Sequence, residues 1–158
     1  MNRALRWGLI SAGAIPAERM IGAFPANGGE VTTLMSSNAE RAKAYAEKHC
    51  VALATDDLEA LVEGEDVDAV YISTTNELHR DQLFAAAKAG KHILRGKPLA
   101  LALGDAYAMV AECRKRGVMM GTNNNLRNAG THRAMRDAIA AGCIGKPPGW
   151  AKREWKTA

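Results

Sequence analysis

The feature that most constrains this chain is an alternation. Short apolar runs, most of them too short for a stable helix, are separated by longer segments with a helical repeat. The runs at 4–10, 30–35, 51–54, 67–73, 92–94 and 118–122 read as strands, and the patterns at 15–24, 39–49, 56–62, 76–89, 104–116 and 131–141 as helices. Pro16 suits a first helical turn, where a missing N–H costs little. Asn38 is a candidate cap for the helix that follows it. Gly90, Gly117 and Gly142 stand where helices commonly stop. Strands and helices in this order need crossover connections, which implies βαβ units and a parallel sheet covered on both faces. Right-handed crossovers then give an α/β, doubly wound fold. Residues 1–145 are expected to form one such domain. Residues 146–158, with two prolines and Trp150 and Trp155, break the pattern and form a tail.

Composition narrows the function classes. With 158 residues, the chain is long enough to bury roughly 70% of its unfolded surface. Hydrophobic residues at 47% and charged residues at 24% are ordinary for a soluble globular protein. A net charge of +4 fits an anionic small ligand, and 5% aromatic residues without basic–aromatic interleaving argue against nucleic acid. No apolar run approaches the ~20 residues of a membrane span. The three widely spaced cysteines, Cys50, Cys113 and Cys143, suggest neither a disulfide framework nor a zinc site. With no signal-peptide pattern at the N-terminus, the expectation is a cytoplasmic protein.

In an open parallel sheet, ligands bind beyond the carboxyl ends of the strands, so the loops after each strand are the places to look. After the first run stands Ser11-Ala12-Gly13-Ala14-Ile15-Pro16. A dinucleotide fingerprint has glycine at the first, third and sixth of these positions, or alanine at the sixth; only Gly13 matches. Ser11, Gly13, Ala14 and Ile15 are candidate pyrophosphate contacts through backbone amides at the helix start. An ordinary strand-to-helix turn is the alternative. After the second run, Ser36 stands where an acidic residue would accept from an adenosine ribose, with Ser37, a further candidate contact, next to it. A neutral hydroxyl does not repel a 2′-phosphate, and Arg41 offers it a charged fork, which favours NADP over NAD. Arg41 also reads as a solvated helix residue.

The later loops add further candidates. Ser73, Thr74, Asn76 and His79 follow a buried run and suit a ligand crevice. Asn76 is alternatively a helix cap, and His79 alternatively satisfies a local bond. Gly96 and Lys97 follow the fifth run, where a lysine can donate to a hydroxyl or carbonyl or serve as acid or base. Asn123 and Arg127 follow the sixth run and either face a substrate or belong to a plain loop.

Taken together, WGLISAGAI, STTNELH, KHILRGKPLAL and GTNNNLRNAGTHRAMRDAIAAG resemble, in order and spacing, the glucose–fructose oxidoreductase / inositol dehydrogenase / MocA family. The resemblance runs from about residue 2 to 145. It implies an N-terminal Rossmann domain that binds a nicotinamide dinucleotide, with hydride transfer between NADPH and a sugar carbonyl. Lys97 matches the lysine of the family's Glu-Lys-Pro motif and is the implied catalytic residue. Asn76 and His79 match the cofactor-side asparagine and histidine, and Ser36 and Arg41 the 2′-phosphate positions of NADP-dependent members. Several positions depart from the pattern. Gly96 replaces the motif's glutamate, Ser11 replaces the first fingerprint glycine, and Asn124 and Asn125 stand where two histidines are usual. No part of the sequence matches the family's second domain, which carries a catalytic histidine and most of the sugar pocket. The expectation is therefore a chain that binds its cofactor with little turnover, alone or self-associated through the face that domain would cover.

Overall fold

The computed structural model describes residues 3–11 and 15–145, and for 15–18, 125 and 128 the backbone alone. Six strands, β1 (Leu5–Ile10), β2 (Gly29–Met35), β3 (Leu53–Thr55), β4 (Ala69–Ile72), β5 (His92–Arg95) and β6 (Met120–Thr122), form one sheet in the order β3-β2-β1-β4-β5-β6. Every pairing is parallel. The order reverses between β1 and β4, so the carboxyl ends of these two strands mark the switch point at which such sheets hold ligands.

The helices are α1 (Ile15–Ala26), α2 (Ala39–His49), α3 (Leu58–Glu63), α4 (His79–Lys88), α5 (Leu103–Arg116), α6 (Asn125–Asn128) and α7 (Gly130–Ala140). Side chains alternate faces along a strand, and the central strands use both. Leu9 and Tyr71 join Phe24, Leu34, Ala42, Tyr45 and Ala46 on the face covered by α1 and α2. Ile10, Val70, Ile72 and Ile93 join Leu61, Leu83, Ala86 and Met109 on the face covered by α3, α4 and α5. All four residues of β4 are buried, as a central strand of a doubly covered sheet requires.

Several boundaries differ from the sequence reading for local reasons. Helix α1 runs through Pro25 to Ala26; Pro25 stands in the last turn, where its missing N–H gives up one intrahelical bond without interrupting a longer run. Asn27 and Gly28 then close the turn, the latter with φ of 75°. Helix α4 begins at His79, not at Asn76. Residues 76–78 form a turn, held by Leu78 N–H to Thr75 C=O at 3.1 Å. Leu78 is therefore the N-cap, with no side-chain bond, and Asn76 does not cap the helix. Strand β5 extends to Arg95, whereas the sequence reading ended it at residue 94. The chain divides into two compact units after Asn123. In the second unit α6 replaces part of the expected loop, and α7 buries none of its described side chains.

Candidate functional site

The rim at the carboxyl ends of the strands is held by one repeated bond. The first residue after a strand donates its N–H to the last residue of a neighbouring strand. Ser11 donates to Met35 (3.2 Å), Ser36 to Thr55 (3.1 Å), Ser73 to Ile10 (3.2 Å), Gly96 to Ile72 (2.9 Å) and Asn123 to Arg95 (2.7 Å). Each loop thus leaves the sheet from a fixed backbone position, which is what a ligand-binding rim needs. The five residues so anchored are all sequence candidates.

A cleft of about 200 Å³ opens at this rim, lined by Ser11, Ser36, Ser37, Arg41, Thr74 and, beside them, Met35, Thr75, Leu78 and Gln82. Five candidates from three separate loops therefore meet at one place. Among the described lining residues the charged one is Arg41. It lies in the first turn of α2, whose N-terminus is capped by Asn38 Oδ1 accepting from Arg41 N–H at 2.8 Å. The partial positive charge of a helix start and the guanidinium act in the same direction on an anion. Between β1 and β4, Ser73 Oγ is buried with no hydrogen-bond partner among the described residues. A buried hydroxyl left unsatisfied at the switch point suits a polar ligand.

The remaining candidates lie elsewhere. Asn76 and His79 line a second cavity of about 180 Å³, with Glu77, Arg80, Asp81 and Asp105. Lys97 is exposed and precedes Pro98 across a cis peptide bond. Asn123 sends its side-chain amide to Met20 Sδ at 3.8 Å. Gly13 and Ala14 lie outside the described residues, as does the tail at 146–158, and of Ile15 only the backbone is described.

Four residues were missed in the sequence as lining, namely Met35, Thr75, Leu78 and Gln82, and one as a structural centre, Arg95. The signal for Arg95 was its spacing from Ile93, which puts the two on one face of β5. Arg95 is fully buried. Its Nη2 donates to His79 Nδ1 and to Pro98 C=O. His79 Nε2 in turn donates to Thr74 C=O at 3.1 Å, and Thr74 Oγ1 donates to Gln82 Oε1 at 2.6 Å. Burial, and then the nearby Arg95 charge, hold the His79 imidazole below its ordinary pKa, so it stays neutral.

Residues 5–124 match the family model described as an oxidoreductase family with an NAD-binding Rossmann fold. The chain belongs to that family. Across 142 residues it is 57% identical to 1,5-anhydro-D-fructose reductase of Ensifer adhaerens, covering 90% of this chain and 43% of that one. Over 144 residues it is 38% identical to dTDP-3,4-didehydro-2,6-dideoxy-alpha-D-glucose 3-reductase of Streptomyces violaceoruber, covering 90% and 42%. A solved structure of a 3-ketoreductase from Actinomadura kijaniata with NADP superposes with a TM-score of 0.84 at 33% identity, covering 90% of this chain and 46% of that one. The chain thus spans less than half the length of these relatives. As in the family description, the fold is a dinucleotide-binding one, and the cleft lies at its switch point. No described helix is long and apolar enough to cross a membrane, and the described residues contain no cluster of three or more metal-ligating side chains.

Proposed function

We propose that this chain is the NADP-binding domain of a sugar oxidoreductase similar to 1,5-anhydro-D-fructose reductase. The observation that carries the reading is the cleft shared by Ser11, Ser36, Ser37, Arg41 and Thr74. Hydroxyls and a guanidinium gather there with no carboxylate among the described lining residues, a donor set that fits a phosphorylated ribose. An NAD site would instead place an acidic side chain at the end of β2 to accept from the free ribose hydroxyls. Ser36 occupies that position here.

In this reading the adenosine end of the cofactor lies over Ser36, Ser37 and Arg41. The pyrophosphate would be held by backbone amides of the segment from Ser11 through Gly13 and Ala14 to Ile15, the sequence candidates for that contact. The nicotinamide end lies toward Ser73, Thr74, Asn76, Gly96, Lys97 and Asn123. The bound cofactor supplies a hydride. The exposed Lys97 ammonium holds a proton where a sugar carbonyl would accept it, the role the family motif implies for it.

Titration with NADPH and with NADH, followed by nicotinamide fluorescence, tests the proposal. NADPH is expected to bind more tightly. Arg41→Ala is expected to weaken NADPH by about 10- to 100-fold, the worth of a charged hydrogen bond, and to leave NADH unchanged. Equal weakening of both dinucleotides would remove Arg41 from the 2′-phosphate and sink the NADP assignment.

A further inference from the structure

Arg95 is an unusual residue for its place. It ends a central strand, is 0% exposed, and shares a face with the core residue Ile93. A buried cation is costly unless its charge and all its N–H groups are met. Here only Nη2 is engaged; Nε and Nη1 are buried with no hydrogen-bond partner among the described residues. A guanidinium so incompletely paired is a poor stabiliser, and replacing it with an apolar side chain is often neutral or favourable to stability. What Arg95 contributes has to be looked for in what its bonds join.

They join the two loops that the proposed function needs together. One Nη2 proton goes to Pro98 C=O, immediately after Lys97, and the other to His79 Nδ1. Because Nδ1 accepts, the imidazole proton sits on Nε2, and Nε2 can donate to Thr74 C=O. Thr74 lines the cleft. The series from Pro98 through Arg95 and His79 to Thr74 therefore runs from the Lys97 loop to the cofactor cleft. Gly96 adds no side chain to hold that loop, and a Cβ built there would meet only Ile72 O at 3.8 Å.

We propose that Arg95 is a positioning residue that fixes the His79 tautomer and thereby holds the Lys97–Pro98 loop in register with Thr74. The proposal rests on the cofactor-binding reading for its purpose, but its geometry is testable without cofactor.

The test uses the full chain labelled with ¹⁵N in its histidines. The wild type is expected to show His79 as the neutral Nε2–H tautomer. Arg95→Met is expected to fold with a thermal midpoint no lower than wild type, to lose that single tautomer, and to speed amide exchange at Gly96 and Lys97 by about tenfold, one hydrogen bond's worth. Arg95→Lys, whose ammonium keeps donors for both acceptors, is expected to restore the tautomer in part. NADPH affinity is expected to fall about tenfold in Arg95→Met, with the preference over NADH unchanged because the Arg41 end is untouched. An Nδ1–H tautomer in the wild type, or unchanged tautomer and exchange in Arg95→Met, overturns the proposal. If Arg95→Met does not fold, the role assigned to Arg95 is purely structural, unless Arg95→Lys folds and keeps the tautomer. If the wild type binds neither dinucleotide, the cofactor reading fails, while the tautomer and exchange results still decide the role of Arg95.

Discussion

His79 shows how one side chain can tie stability to pH. Its imidazole is pushed below its ordinary 6.5 by burial first and by the Arg95 charge second; the Thr74 and Pro98 carbonyls and Glu77 oppose the shift without reversing it. The unfolded chain takes up a proton near that ordinary value, and the folded chain does not. Stability from this residue is therefore whole above 6.5 and is lost as pH falls below it. Urea midpoints measured between about pH 7.5 and about pH 5.5 are expected to decline, and His79→Gln is expected to flatten that decline. An equal decline in the variant would assign the effect to other groups. The residue scale is also where the sequence was least legible. A histidine at the fourth position of the expected helix 76–89 reads either as a ligand or as a residue that satisfies a local bond. Only the fold brings Arg95 and Thr74 to its two nitrogens, from 16 residues downstream and 5 upstream. Gln82 was missed for a similar reason, since its place in the cleft depends on α4 starting at His79.

At the scale of elements, most of what periodicity predicts is present, because it reports burial and burial decides which residues face the sheet. The pattern Ala42, Tyr45, Ala46 does face it, with Asn38 as the expected cap. Boundaries were less legible where backbone conformation, and not burial, sets them. The start of α4 at His79 is such a case; α2, by contrast, ends at His49 as the sequence reading has it, with no glycine to stop it. Its C-cap is Cys50, in the left-handed region with φ of 55° and ψ of 38°, where glycine is the usual residue. The N–H of Cys50 still closes the helix onto Ala46 and Glu47 carbonyls, so the cap is formed at the cost of Cβ crowding. Cys50 is exposed, and its side chain is not part of either core cluster. Cys50→Gly is therefore expected to stabilise the chain by about 0.5–1 kcal/mol, after allowing for the added freedom of glycine when unfolded. Calorimetry is expected to show a rise of about 2–4 °C. A fall would mean that the thiol makes contacts worth more than the crowding costs.

For the whole molecule, the order of the sheet decides what the chain can do by itself. The switch point between β1 and β4 and all described lining of the cleft lie within the first compact unit, up to Asn123. Dinucleotide binding as proposed would therefore draw on residues already held by one sheet. Reduction of a sugar needs more. Hydride transfer is helped by a site that excludes water and fixes both reactants, and Lys97 is exposed at an open rim. The relatives that carry sugar-reductase names are more than twice as long, with 43% and 42% of their lengths matched here. The 158-residue polypeptide is accordingly expected to bind NADPH saturably and yet to oxidise it no faster with a dicarbonyl sugar than without one. Binding followed by fluorescence, and absorbance of NADPH with and without sugar, check the two halves separately. Turnover that depends on sugar and disappears in Lys97→Ala would show that the open rim suffices for catalysis. Absence of binding would instead point to the side chain of Ser11, which stands in place of the fingerprint glycine, since the backbone of Ser11 and of the other anchored loops is already fixed by the sheet.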